Sequence, residues 1–174
     1  PSQPVQDARR HGVQVLPVDV MVSGLDSVLE QPHGGHQADS AVWPGTTVAQ
    51  PLRLPQPAVR LGLRRIAGLS EAGAQRLLAA RDQSPFTSTE DLALRAALDP
   101  RDMGALASAD ALQVLSGHRR QQVWDATGQR RAPALLRHAP VHETPLHLPT
   151  APEGEEIVGD YRATGLTLRR HPLA

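Results

Sequence analysis

The stretch RRIAGLSEAGAQRLLAAR, Arg64 to Arg81, decides how this chain is read. It places an apolar residue, Ile66, before a Gly-Leu-Ser turn. A run with helical spacing then begins, at Ala74, Leu77 and Leu78. Gly68 supplies the residue type that takes positive φ without steric cost. Ser70 stands where a hydroxyl caps the helix that follows, with Glu71 in its first turn. Arg64, Arg65 and Arg76 flank the bend. From Arg60 to Arg81 five arginines face one acid, Glu71, a local balance of +4 in a chain whose formal net charge is zero.

These residues meet the requirements of a helix-hairpin-helix unit: an apolar residue before the bend, a glycine within it, and a second helix opening directly after it. The first amides of such a helix have no intrahelical acceptor. Together with the helix dipole they form a site for a phosphate oxygen. The sequence therefore offers Arg64, Arg65, Gly68, Leu69, Ser70 and Arg76 as contacts to a nucleic-acid backbone. The second glycine common in such hairpins is replaced by Ser70. An ordinary helical hairpin, with the glycine making the turn and the arginines facing water, fits the same residues.

On either side of this stretch the chain divides into five segments. Residues 1–30 read as a short helix ending near Gly12, then a strand in which Val13 and Val15 alternate with polar positions until Pro17 confines it to an edge. Residues 31–57 hold five prolines and three glycines and read as a loop. Residues 58–130 form the organised part. Val59, Leu61 and Leu63 alternate as a brief strand before the hairpin. Thr87 with Glu90 reads as a capping box, Asp99 with Pro100 as a second helix start, and Met103, Leu106 and Ala107 as a buried face. Ser116 reads as the cap of a further helix with Val123 and Trp124 on its buried side. Residues 131–152 read as a proline- and histidine-rich linker. Residues 153–174 open with Glu153, Glu155 and Glu156, as suits a helix N-terminus, and close on Leu166 and Leu168 in strand alternation.

Composition limits the function classes. The 174 residues include no cysteine, so neither a disulfide framework nor a thiolate metal site is available. No apolar run approaches the length of a membrane helix, and the expected setting is cytoplasmic. Aromatics make up 2% of the chain, so the core is aliphatic and mainly α. Every basic side chain is arginine. A GC-rich genome produces that bias without selection, while the planar guanidinium suits phosphate. His33 with His36, and His138 with His142, have metal-compatible spacing but lie in proline-rich loops. Ser40, Ser84 and Ser116 lack a nucleophile elbow. Phe86 and Trp124 read as core. No catalytic residue or metal ligand is assigned.

Five motifs appear in order: DARRHGVQVLPVDV, AVRLGLRRIAGLSEAGAQRLLAAR, PFTSTEDLALRAALDPRDMGALASADAL, GHRRQQVW and EGEEIVGDYRATGLTLRRHPL. Together they resemble the C-terminal half of the bacterial DNA polymerase III alpha subunit family. ADAL and DYRATGLTLRRHPL point to its error-prone paralogue. The resemblance implies an end of the fingers over residues 1–30 and a tandem helix-hairpin-helix domain over 58–130 that holds duplex DNA by its phosphates. It also implies the start of an oligonucleotide-binding barrel after residue 153. The second hairpin turn would fall at Ala109 to Ala111, with Asp110 in place of glycine. A carboxylate there repels phosphate, so DNA contact is not assigned to that turn. The family's magnesium-binding aspartates have no counterpart here, so polymerase chemistry would belong to the parent protein, for translesion synthesis and repair, and the segment would be inactive alone. Partners would be duplex DNA and possible further polymerase or damage-response subunits. Two other readings stay open: an independent helix-hairpin-helix repair module, and a structural segment that docks a partner protein.

Overall fold

A computed structural model describes residues 3–31, 57–128 and 146–169. The proline-rich stretch at 32–56, with His33, His36, Ser40 and Trp43, lies outside the described residues, as do 129–145, with His138 and His142. The molecule is mainly α. Helix α1 (Gln3–Arg10) leads into strand β1 (Val15–Leu16), followed by β2 (Val28–Glu30) and β3 (Ala58–Arg60). A 3-10 turn, Leu63–Arg65, precedes α2 (Glu71–Gln83), α3 (Thr89–Arg95), α4 (Pro100–Ser108), α5 (Gln113–Ser116), α6 (Arg119–Gly128) and α7 (Glu153–Thr164).

The three short strands form one sheet in the order β1-β3-β2, parallel on one side and antiparallel on the other. Val15 pairs with Val59, and Pro17 ends β1 at the sheet edge, where its missing N–H costs no ladder bond. The sheet abuts a helical core of aliphatic side chains. Leu63, Leu77, Leu92, Met103, Leu106 and Leu112 are almost fully buried in it, together with Phe86. Fully burying one leucine contributes about 2 kcal/mol, so these spaced residues hold the short helices together.

The helix starts follow their caps. Asp99 accepts the Asp102 amide at 2.7 Å, with Pro100 at the first helical position. Ser88, not Thr87, caps α3: its hydroxyl accepts from the Asp91 amide at 3.0 Å, and Asp91, not Glu90, takes the Thr87 amide. The shift has a cause in packing, because Thr89 is buried with its hydroxyl against Ser116. Ser116 accordingly closes α5 instead of capping α6.

Two further expectations are corrected. Trp124 and Val123 are exposed, and the inward face of α6 carries Arg119, Gln122 and Ala126. The polar pair turns inward because it finds partners there. Gln122 accepts from the Leu112 amide at 3.1 Å and donates to Asp110 at 2.6 Å, and Arg119 meets Glu156 and Asp160. Leu166 to Leu168 make no strand. Gly165 ends α7 at φ 75°, Thr167 donates to Asp160 at 2.6 Å, and Leu166 drops into the core. Those side-chain bonds bend the backbone before it can extend.

Candidate nucleic-acid interface

The first turn runs from Ile66 to Ser70. Ile66 is buried and anchors the bend, while Ala67, Gly68 and Ser70 are exposed. Gly68 takes φ +86°, the left-handed region that the sequence assigned to it. Ser70 caps α2, its hydroxyl accepting from the Gly73 amide at 2.9 Å. The arm before the bend is the 3-10 turn, Leu63–Arg65, and the strand read over Val59 to Leu63 is confined to Ala58–Arg60.

The amides of the bend divide into two kinds. Ala67 donates to the Ala163 carbonyl at 2.7 Å, and Ser70 donates to the Asp102 carboxylate at 2.8 Å. Gly68 and Leu69 donate to no acceptor among the described residues. The two uncommitted donors therefore sit just before the N-terminus of a 13-residue helix, where partial positive charge collects.

Asp102 was not anticipated. It is buried on α4, takes both the amide and the hydroxyl of Ser70, and lies 3.8 Å from Arg76. It holds the first hairpin against the second. Gly73 makes this possible, because a Cβ there would fall 2.2 Å from an Asp102 oxygen. In the sequence Asp102 stands three residues after the Asp99 cap, a place where an acid ordinarily serves its own helix.

The +4 balance is largely spent within the protein. Arg60 pairs with Glu30 at 3.2 Å. Arg81 donates to the Val20 and Ser23 carbonyls, and Arg76 to those of Ala96 and Ala97 at the end of α3. Arg64 stands between Glu71 at 2.8 Å and Asp26 at 3.5 Å. Arg65 is exposed and gives one bond, to the Thr164 carbonyl at 3.2 Å. Of the six candidate residues, the structure brings Arg65, Gly68, Leu69 and Ser70 together at the open side of the bend. It turns Arg76 onto the protein's own carbonyls and leaves Arg64 exposed between two acids.

The second turn, Ala109 to Ala111, also holds one residue at positive φ. Asp110 takes φ +58°, so it does occupy the glycine-like position. Every amide from Ala109 to Leu112 is committed, to the carbonyls of Ala105, Ala107 and Leu106 and to the Gln122 side chain. The Asp110 carboxylate turns inward to Gln122 and, at 3.2 Å, to Arg169. Burial pushes its carboxyl above the ordinary range, against the pull of Arg119, Gln122 and Arg169. The carboxylates that converge here, Asp110, Glu156 and Asp160, are each already paired with Arg119, Arg169 or both. That donor set does not fit a divalent cation such as magnesium.

Comparison with known proteins agrees with this geometry. A family model described as helix-hairpin-helix motif matches residues 12–122, and the chain belongs to that family. Over 176 residues it is 47% identical to the error-prone DNA polymerase of Ralstonia pickettii strain 12J, covering 99% of this chain and 15% of that protein. The error-prone DNA polymerases of Azoarcus sp. strain BH72 and Dechloromonas aromatica strain RCB are 47% and 46% identical, each over 100% of this chain. The chain thus spans about 15% of the length of the curated relatives it matches. These relatives carry the name of the error-prone paralogue that the ordered motifs suggested.

Proposed function

We propose that this chain is a DNA-binding segment of an error-prone DNA polymerase, holding duplex DNA by its phosphates through the first hairpin. One observation carries the reading: Gly68 and Leu69 present two uncommitted amides at an exposed bend, next to the N-terminus of α2. Donors of this kind recognise phosphate oxygen and carry no base information. A polymerase that advances over any sequence needs contacts of that type. By resemblance, magnesium-dependent nucleotide transfer and synthesis past damage belong to the whole polymerase, and this segment supplies grip.

The test is duplex binding across a salt series. Two neutralised phosphates give a slope of log affinity against log salt of about −2. Gly68→Val is expected to abolish that binding. A salt-independent affinity, or full binding by the Gly68→Val variant, overturns the proposal.

A further inference from the structure

We propose that Arg101, on the leading helix of the second hairpin, completes the phosphate site at the first turn. The inference rests on the reading of the Gly68 bend given above. Among the arginines whose side chains are described, Arg101 and Arg162 alone make no hydrogen bond or ion pair. Arg101 is exposed and is the second residue of α4.

Its position follows from its neighbours on that helix. Asp102 bonds Ser70, and the Ala105 methyl lies 3.9 Å from where a Cβ on Gly68 would stand. Residues four apart share a helix face, so Arg101 lies one turn from the Ala105 contact and one residue from the Ser70 contact. It therefore borders the bend on the α4 side. On the other side stand Arg65 and the end of α7, where Ala163 accepts the Ala67 amide.

Charge accounting favours Arg101 over Arg64 and Arg76, which face acids. Asp102 is occupied by Ser70 and faces Arg76, Glu71 and Asp26 face Arg64, and Asp99 is occupied by the Asp102 amide. No carboxylate holds Arg101, so it loses no ion pair when it turns to a phosphate. Its guanidinium can donate two parallel hydrogen bonds to the phosphate oxygens left over by two backbone amides. The second hairpin then serves DNA through its first helix, while its own turn stays closed.

The experiment compares variants of the full 174-residue chain in salt titrations with a short mixed-sequence duplex. Arg101→Ala is expected to reduce the salt slope by about 1 and to leave the melting temperature unchanged, because no hydrogen bond or ion pair is lost. Arg101→Lys keeps the slope, and Arg76→Ala keeps it while lowering the melting temperature. If Arg101→Ala retains the wild-type slope while Gly68→Val still abolishes binding, the Arg101 assignment falls and the reading of the bend stands. An Arg101→Ala variant that melts early shows a structural role and overturns the assignment. A wild-type chain that does not bind the duplex at low salt overturns both.

Discussion

The two hairpin turns each contain a residue at positive φ, Gly68 in the first and Asp110 in the second, and differ in what their amides do. In the first, two amides remain uncommitted and the bend is exposed. In the second, four consecutive amides are satisfied within the protein and the acid at the bend is drawn inward. A positive φ at a bend thus does not by itself leave amides free for a ligand. What matters is whether the carbonyls and side chains around the bend have already claimed its donors.

The joint between the two units gives the largest expected effect. Asp102→Ala removes a buried carboxylate that takes two hydrogen bonds from Ser70. A loss of about 3 kcal/mol is expected in urea unfolding. Adding Gly73→Ala to that variant should cost less than adding it to the wild type, because the oxygen that would lie 2.2 Å from the new Cβ is gone. Additive losses would show that Asp102 and Gly73 do not share this space.

Exchanging the residues at the two bends sharpens the contrast. Gly68→Val sets a β-branched side chain at φ +86° and is expected to cost about 1–2 kcal/mol, along with duplex binding. Gly68→Asp makes the first turn resemble the second. Aspartate enters the left-handed region more readily, so most stability is kept while the carboxylate repels phosphate and binding is lost. Retained binding by Gly68→Asp would mean that the bend does not face the duplex.

Smaller effects come from single caps and single charges. Ser70→Ala removes the hydroxyl that caps α2 and is expected to lower stability by about 1 kcal/mol, read as a shift of the urea midpoint. Asp110→Asn has the smallest effect, visible only in pH dependence. Burial raises the Asp110 carboxyl above its unfolded value, so the folded state binds this proton more tightly. Its stabilising contribution is complete below the ordinary aspartate range and is lost as pH rises through the raised value. Melting curves of wild type minus Asp110→Asn should therefore fall with rising pH across that interval. A difference that rises instead would show that Arg169 and Arg119 dominate burial.

Local features of the fold were legible in the sequence. Gly68 with Ser70 announced the first bend and Asp99 with Pro100 announced α4, each through a preference of one residue for one conformation, whereas the second turn, Ala109 to Ala111, came only from the family resemblance. The destinations of the arginines were not legible, because Arg65, Arg76 and Arg81 bond to backbone carbonyls, and a carbonyl leaves no mark on composition. Arg119 and Gln122 read as surface residues for a related reason: the groups that let them turn inward, Glu156, Asp160 and Asp110, stand elsewhere in the chain. Asp102 was visible as a helix-start acid, but its bond to Ser70 joins residues 32 apart.

The longest-range contacts of the first turn set an order of events for folding. Arg65 bonds the Thr164 carbonyl across 99 residues, and Ala67 bonds the neighbouring Ala163 carbonyl. Closing a loop of that length carries an entropic cost, so the first turn is expected to gain these contacts only once α7 has formed. During synthesis the arginine-rich bend emerges well before α7 and must wait, unlatched, until that helix leaves the ribosome.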